Sequence, residues 1–450
     1  MVSLILAMTP SGGIGLNGKL PWHCKAELAL FKRITDNSIV IVGYTTYKSL
    51  PKLPNRTIFV VSRTFKHTDD EGIFICESLE EAINATSRVE QKVFIIGGAS
   101  IYNQMFTLHR NRIDTIYLSI MNIEYKHDAW ARVDQKHLLS NFIITEKTQF
   151  DEFVHYVLKK HDNVETQYRD LIREVQTTGG VRTTRNGYTQ GVFGKTLVFD
   201  LRDGFPLLTT KRMYTRGIIE ELLFFIRGDT DTKLLEKKKV NIWSKNTSRE
   251  WLDANGKSRL KDGLMGPMYG AQWRHFGGDY DNETGRMIGG KDQFEYLLHN
   301  LKMDPHSRRH LMTTYNPSSA ESGVLYPCHS LILQFYIDGE FLDAYCYNRS
   351  SDIFLGLPFN IASTALLVHL IAKLVKKTGR RITLALGDAH LYAEHAIAVN
   401  TQLSRIPYKL PQIRIEKSIE TIADLEKLEY SDFIITDYNY HPSIEAPMMP

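Results

Sequence analysis

The chain has 450 residues, 43% hydrophobic and 24% charged, with 30 Gly and 15 Pro, a balance that excludes disordered and collagen-like classes. At roughly 150 residues per domain the length allows two or three domains and excludes a lone small module. The 55 Lys and Arg exceed the 51 Asp and Glu by a formal charge of only +4, too little to imply nucleic-acid binding and compatible with small anionic substrates.

The N-terminal run Met1 to Met8 lacks a basic region and meets Thr9-Pro10-Ser11-Gly12-Gly13, so it reads as a first strand and not as a secretory signal. Short β-rich runs follow at 39–42, 57–62, 93–96 and 115–121, several continuously apolar, as expected for strands covered on both faces. Gly43 and Gly97-Gly98 stand directly after strands, where nucleotides tend to lie in α/β folds. The texture changes after 160. Helical windows appear at 220–227, 292–302 and 361–377, with an alternating pair, 331–337 and 341–348, joined through Asp338-Gly339. The boundary therefore falls between Lys159 and Val164, giving domains over 1–160 and 165–450. The most apolar window, 354–375, carries Asn360, Ser363, Thr364, His369 and Lys373; those groups would be costly in lipid, so it reads as a buried core helix and no membrane contact is expected. The cysteines Cys24, Cys76, Cys328 and Cys346 are widely spaced, with no metal-like grouping, which predicts a reducing, cytoplasmic compartment and no metal. Lys237-Lys238-Lys239 reads as a solvated surface, with nucleic acid at most a secondary role.

Two places carry chemistry. If a helix begins near Cys24, then Glu27, Leu28 and Phe31 share one face, and a carboxylate stands on an apolar wall. On spacing alone the plainer reading of Glu27 is a first-turn acid favoured by the helix dipole. In the second domain, Tyr326-Pro327-Cys328-His329 leads into an alternating strand. A thiolate is a nucleophile, and Arg308, Arg309 and Arg349 are candidates to lower the thiol pKa, although a lone Cys before a strand is more often a small buried hydrophobe.

Several motifs occur together in the first domain: Leu20-Pro21-Trp22, Phe31-Lys32, Gly43 with Thr46, Leu53-Pro54-Asn55-Arg56, Val61-Ser62-Arg63, and Ile96 to Tyr102. Through them residues 1 to about 158 resemble the dihydrofolate reductases. The resemblance implies an α/β fold with Glu27 as the carboxylate that pairs with the pterin's amino-amidine edge and promotes protonation of the N5=C6 imine. It implies Ala7, Phe31, Leu50 and Leu53 as pocket walls, Arg56 as the ligand of the folate glutamate, and Ser119 as a support for Glu27 and pterin. NADPH would lie against Ala7, Gly15, Gly43, Thr45, Thr46, Ser62, Arg63, Gly97, Gly98, Ala99, Ser100, Ile101 and Tyr102. Arg63 suits a 2′-phosphate, while Tyr44 stands where the family often has a basic residue.

The second domain carries Asp203 to Arg212, Glu221-Leu222-Leu223, Asn241-Ile242-Trp243, Gly266 to Arg274, Asp304 to Arg309, Pro327-Cys328-His329, Arg349 to Ser363 and Gly387 to Tyr392. Over 165–450 it resembles the thymidylate synthases. The resemblance implies an α+β domain that methylates dUMP to dTMP with 5,10-methylenetetrahydrofolate. Cys328 would add to C6 of the uracil, and Asn360 would hydrogen-bond N3–H and O4, an acceptor-donor pair suited to uracil. Arg349, Ser350 and a partner-donated Arg308-Arg309 pair would hold the phosphate. Glu221 and Tyr269 would handle protons, His390 and Tyr392 the sugar 3′-hydroxyl, His329 the nucleotide, and Trp243 and Asp352 the folate. Either Arg182 or Arg185 could be the mobile phosphate ligand, with Arg185 favoured because Asn186-Gly187 can turn. The chain ends Ala446-Pro447-Met448-Met449-Pro450, where the family usually closes its site with an aliphatic tail. A homodimer through the second domain, with dUMP and dihydrofolate as substrates, completes the expectation. Its rivals are a reductase half reduced to a structural module and a nucleic-acid-binding regulator.

Overall fold

The computed structural model describes residues 2–87, 89–109, 112–131, 142–160, 164–184 and 187–449. It divides into two units, Met1–Asn163 with Ile406–Lys409, and Val164–Arg405 with Leu410–Pro450.

The first unit is built on strands β1 (Val2–Met8), β2 (Gly13–Gly15), β3 (Ile39–Gly43), β4 (Thr57–Val61), β5 (Ile73–Cys76), β6 (Val93–Gly97), β7 (Ile113–Met121), β8 (Ala129–Trp130), β9 (Phe142–Gln149) and β10 (Phe153–Lys160). Eight of them form one sheet in the order β5-β4-β3-β6-β1-β7-β10-β9. The first six of that order run parallel, and β10 is antiparallel to both neighbours. Val40, Ile41, Val42 and Ile95 are wholly buried, so their unbroken apolar runs reflect cover on both faces. The parallel strands deliver Ala7, Gly43, Val61, Cys76 and Gly97 to one edge of the sheet. Helix α1 (Lys25–Ile34) begins at Cys24, whose Sγ accepts the Glu27 N–H, and it buries Glu27 with Leu30. The Cys24 thiol donates in turn to Glu152 Oε2 at 3.0 Å, in the turn between β9 and β10. Helices α2 (Tyr44–Tyr47), α3 (Leu79–Ala85) and α4 (Ala99–Leu108) start just beyond strand ends. Sequence patterning passes over β5, β9 and β10. In β9 the last four residues are exposed, so apolar alternation fails just where the strand leaves the core.

The second unit contains β11 (Gly180–Thr184), β12 (Gly187–Asp200), the short pair β13 (Asp279–Tyr280) and β14 (Met287–Ile288), β15 (Leu311–Thr313), β16 (Ile332–Asp338), β17 (Phe341–Asp352) and β18 (Thr378–Tyr392). Its main sheet has the order β11-β12-β18-β17-β16-β15, antiparallel throughout except for the parallel pair β17/β18. The Gly356–Leu374 helix makes that parallel crossover and packs on both strands. It is long and apolar enough to cross a membrane, yet most of it is buried in this unit's core beside the Thr215–Arg227 helix. The opposite sheet face is different. Register places Ile332 and Tyr336 of β16, Tyr345 of β17 and Val198 of β12 on one side, and all four are exposed, Tyr336 by 64%.

The Asp203-to-Arg212 segment is held by a buried acid. Glu165, fully buried near the start of the Val164–Thr178 helix, accepts Thr209 N–H at 2.9 Å, Thr209 Oγ1 at 2.6 Å, Thr210 N–H at 2.9 Å and the Thr210 hydroxyl. Replacing Glu165 with Ala strands these donors, so we expect a loss of roughly 3 kcal/mol or more from this unit's stability. Chemical denaturation followed by tryptophan fluorescence reads it, since all the tryptophans except Trp22 and Trp130 lie in this unit.

Candidate active sites

A cavity of about 1150 Å³ opens at the C-terminal ends of the parallel strands of the first unit. Ala7, Trp22, Glu27, Leu28, Phe31 and Leu50 line one part. Gly15, Gly43, Thr45, Thr46, Ser62, Arg63, Gly98, Ala99, Ser100, Ile101 and Tyr102 line the rest. Burial pushes the Glu27 carboxyl up to about 7, and among the described residues no side chain or backbone group hydrogen-bonds to it. A mostly apolar wall with one unpaired acid can hold a flat heterocycle and hand it a proton.

The glycines shape the other part, with a physical basis nearer than a ligand. A Cβ on Gly97, whose φ is +107°, would meet the Tyr102 ring at 2.8 Å, and one on Gly98 would meet Thr46 Oγ1 at 2.5 Å. Tyr102 is fixed by donating to Ile5 O at 2.6 Å. The backbone thus forms a smooth cradle at the start of α4, and the neighbouring hydroxyls and Arg63 offer donors for a phosphorylated dinucleotide. Sequence reading missed Glu77, which follows β5, lines the same end of the cavity and is ion-paired with Lys66.

Four expected residues do not line this cavity: Leu53, Arg56, Gly97 and Ser119. Leu53 is a core residue. The Arg56 guanidinium is 4% exposed and already spends its donors on Pro54 O (2.5 Å), Lys32 O (2.5 Å) and Thr35 Oγ1 (3.3 and 3.2 Å), with Asp36 at 3.6 Å. It ties the end of α1 to the loop before β4, so taking a carboxylate requires exchanging one of these partners. Ser119 does not support Glu27. Its Oγ lies 3.1 Å from Nδ1 of His155, the residue paired with it on β10, because a buried hydroxyl takes the partner its register provides.

In the second unit, Cys328 and Tyr269 form the centre. Cys328 Sγ lies 3.5 Å from Tyr269 Oη. Tyr269 is buried at φ +42° and packs against Phe225 (4.9 Å) and His329 (4.4 Å); that φ is a sparsely populated backbone conformation of the kind that gathers at functional sites. Trp243 Nε1–H donates to Glu221 Oε1 at 2.7 Å, and burial nevertheless pushes Glu221 up to about 7. Cys328 O accepts the Arg349 N–H at 2.8 Å and the Ser350 N–H at 3.3 Å, which binds the thiol loop to β17. Asn360 sits in the first turns of the Gly356–Leu374 helix with its amide unpartnered among the described residues, as is the Ser350 hydroxyl. His329 is held neutral by burial, down to about 4.

The expectation that arginines drive the thiol toward neutrality is corrected. Burial pushes the Cys328 thiol up, and Tyr269 and Arg349 only partly offset it. Arg349 is turned to Pro327 O (3.1 Å) and Tyr326 O (3.4 Å), and Arg308 and Arg309 are exposed on the turn ahead of β15. Arg182 is an ion-pair partner of Asp388, while Arg185 lies outside the described residues. Asp352 Oδ1 accepts the Phe354 and Leu355 N–H groups at 2.9 and 3.2 Å, and His390 Nδ1 lies 2.8 Å from Asp388. Sequence reading did not single out His395, took Lys211 only as part of the Asp203-to-Arg212 motif, and read Lys238 as solvated. Lys211, nearly fully buried, donates to Phe354 O at 2.5 Å beside Asp352. His395 Nε2–H donates to Pro447 O at 2.8 Å, which seats the C-terminal tail. Within the lysine run, Lys238 is bound to buried Glu220 at 2.6 Å.

Comparison with known proteins assigns each unit to a family. The sequence model of the dihydrofolate reductase family matches residues 1–168, and that of the thymidylate synthase family matches residues 166–450. The bifunctional dihydrofolate reductase-thymidylate synthase of Paramecium tetraurelia is 36% identical over 465 residues, covering 99% of this chain and 98% of that one. Those of Leishmania major (33%, 99% and 94%) and Zea mays (31%, 99% and 96%) align as fully. With both family signatures in one chain and relatives matched nearly end to end, this chain belongs to the bifunctional dihydrofolate reductase-thymidylate synthases, reducing dihydrofolate and methylating dUMP to dTMP.

Proposed function

We propose that the two activities are carried by Glu27 in the first unit and Cys328 in the second, acting on a shared folate. The observation that carries this reading is the unpaired, buried Glu27 carboxyl in a cavity wide enough for pterin and dinucleotide together. Its two oxygens match the paired donors of a pterin edge, and its raised pKa keeps a proton available near neutrality. NADPH is the hydride donor that this cavity fits, with Arg63 and Ser62 at the 2′-phosphate end and the Gly98 cradle along the pyrophosphate. Excluding water around Glu27 directs its proton to the pterin.

In the second unit, Cys328 forms the bond to C6 of dUMP and releases it once the methyl group stands on C5. Burial keeps the free thiol protonated, so as the nucleotide docks its proton passes to water, and Tyr269 Oη, 3.5 Å from the sulfur, can hydrogen-bond the thiolate that remains. Glu221, Tyr269 and ordered water then handle the C5 proton. Asn360 reads N3–H and O4, Arg349, Ser350 and His329 line the nucleotide, His390 and Tyr392 take the sugar, and Trp243 and Asp352 face the folate. The product dihydrofolate is the substrate of the first site, which is the chemical reason for joining the two. A cytoplasmic location fits the free cysteines.

The active species is a homodimer through the second unit. The exposed Ile332, Tyr336, Tyr345 and Val198 stripe offers an apolar sheet face to a second copy, and the exposed Arg308 and Arg309 would complete a neighbour's phosphate site.

Separate loss tests the assignment. Cys328→Ala should abolish dTMP synthesis and keep dihydrofolate reduction within about twofold, and Glu27→Ala should lower reduction by at least about 100-fold while sparing methylation with preformed cofactor. Equal loss of both activities in either variant would contradict it. The pH dependence has a definite sign: the Glu27 proton is present below about 7 and lost above it. Single-turnover oxidation of NADPH should therefore slow as pH rises through 7, and Glu27→Ala should flatten that step. Mixing inactive Cys328→Ala with inactive Arg309→Ala subunits should restore part of the synthase activity, because one site of the heterodimer has both groups. Verified subunit exchange without recovery would rule out the shared site.

A further inference from the structure

Arg182, one of the two candidates for the mobile phosphate ligand, is already committed to an ion pair. It stands on edge strand β11, opposite Thr189 of β12, which is opposite Tyr392 of β18. From there it reaches Asp388, donating from Nη1 to Oδ2 at 2.8 Å. The other oxygen, Asp388 Oδ1, lies 2.8 Å from His390 Nδ1. The three side chains thus form a chain across three strands, and 206 residues of sequence separate its first two members.

The local sequence permits this. Gly180 and Gly191 line up with His390 across the sheet, so no side chain stands over the path. A Cβ at Gly191 would come within 3.2 Å of His390 Cβ and 3.6 Å of Asp388 Oδ1. Asp388, His390 and Tyr392 alternate with buried Ala389 and Leu391, so they share one face, and the His390 ring meets Tyr392 edge-on at 5.2 Å.

We propose that Arg182 is a positioning residue for recognition of the nucleotide's 3′-hydroxyl and not the mobile phosphate ligand. A carboxylate on Nδ1 fixes the imidazole as the Nδ1–H tautomer, which leaves Nε2 as an acceptor for a hydroxyl hydrogen. Asp388 can impose that only if its own rotamer is held. Arg182 holds it from the far oxygen and matches its charge, so the carboxylate neither swings to solvent nor turns its second oxygen on the substrate. The proposal rests on the reading of His390 as a sugar ligand.

Steady-state kinetics of the full-length enzyme with dUMP and with 2′,3′-dideoxyuridine 5′-monophosphate test it. In Arg182→Ala we expect KM for dUMP to rise about 3- to 10-fold, the effect falling on KM and not on kcat. KM for the dideoxy nucleotide should stay within about twofold, so that discrimination by the 3′-hydroxyl shrinks. Asp388→Asn should reproduce this, and the double variant should be no worse than either alone, as expected for links in one chain. An equal rise with both nucleotides would make Arg182 a phosphate ligand and overturn the proposal. No change with either would reduce the pair to a surface contact and overturn it too. If the wild-type enzyme itself fails to distinguish the two nucleotides, the reading of His390 falls and takes the proposal with it. If His390→Ala removes the distinction but Arg182→Ala does not, only the proposal fails.

Discussion

Taking a carboxyl group or a thiol out of water makes its charged form costly, and this one constraint governs both sites of the chain. Burial against the apolar wall of the cavity pushes the Glu27 carboxyl up to about 7, and burial does the same to Glu221 against the opposing hydrogen bond from Trp243. Cys328 is shifted in the same sense and for the same cause. Under the proposed roles, the shift gives the acids a proton to donate near neutral pH and delays the reactive form of the thiol until substrate arrives. Opposite consequences for chemistry thus follow from a single physical term.

The scaffolds supply that term differently. In the first unit a doubly covered parallel sheet brings strand ends to one edge, and helix starts and glycine turns complete the cavity. In the second, the Gly356–Leu374 and Val164–Thr178 helices pack on the sheet, and the Thr215–Arg227 helix, packed on the former, carries Glu221 close to Cys328. Buried polar groups hold the framework in register. Glu165 gathers Thr209 and Thr210, Lys211 caps Phe354 O beside Asp352, and His395 holds Pro447 O. Each finds its partner far away in sequence, as buried polar groups usually must.

Much of this was legible in the sequence. Short β-rich runs, several of them continuously apolar, marked β1, β3, β4, β6 and β7, the spacing of Glu27, Leu28 and Phe31 marked α1, and Asp338-Gly339 marked the β16/β17 hairpin. Motif residues led to both centres. What stayed hidden depends on register and on long-range choice among partners. Nothing local tells that Ser119 faces His155 or that the Arg56 guanidinium folds back on α1. Nor does spacing show that burial outweighs the arginines at Cys328. Strands β9 and β10 escaped because half of β9 is solvated, and β18 because glycines and charges interrupt its alternation. The tail Ala446 to Met449 departs from the family's aliphatic ending, yet its backbone is anchored through His395, a contact that does not depend on the side chains that changed.

The claim that desolvation sets the chemistry is tested most directly by a carbon-13 NMR titration of the full-length protein labelled at glutamate side-chain carboxyls, with Glu27→Gln and Glu221→Gln used for assignment. The account predicts two carboxyl resonances that titrate near pH 7 and vanish one by one in these variants. Midpoints near 4.5 for both would show that the pockets are wet, and the account would be wrong.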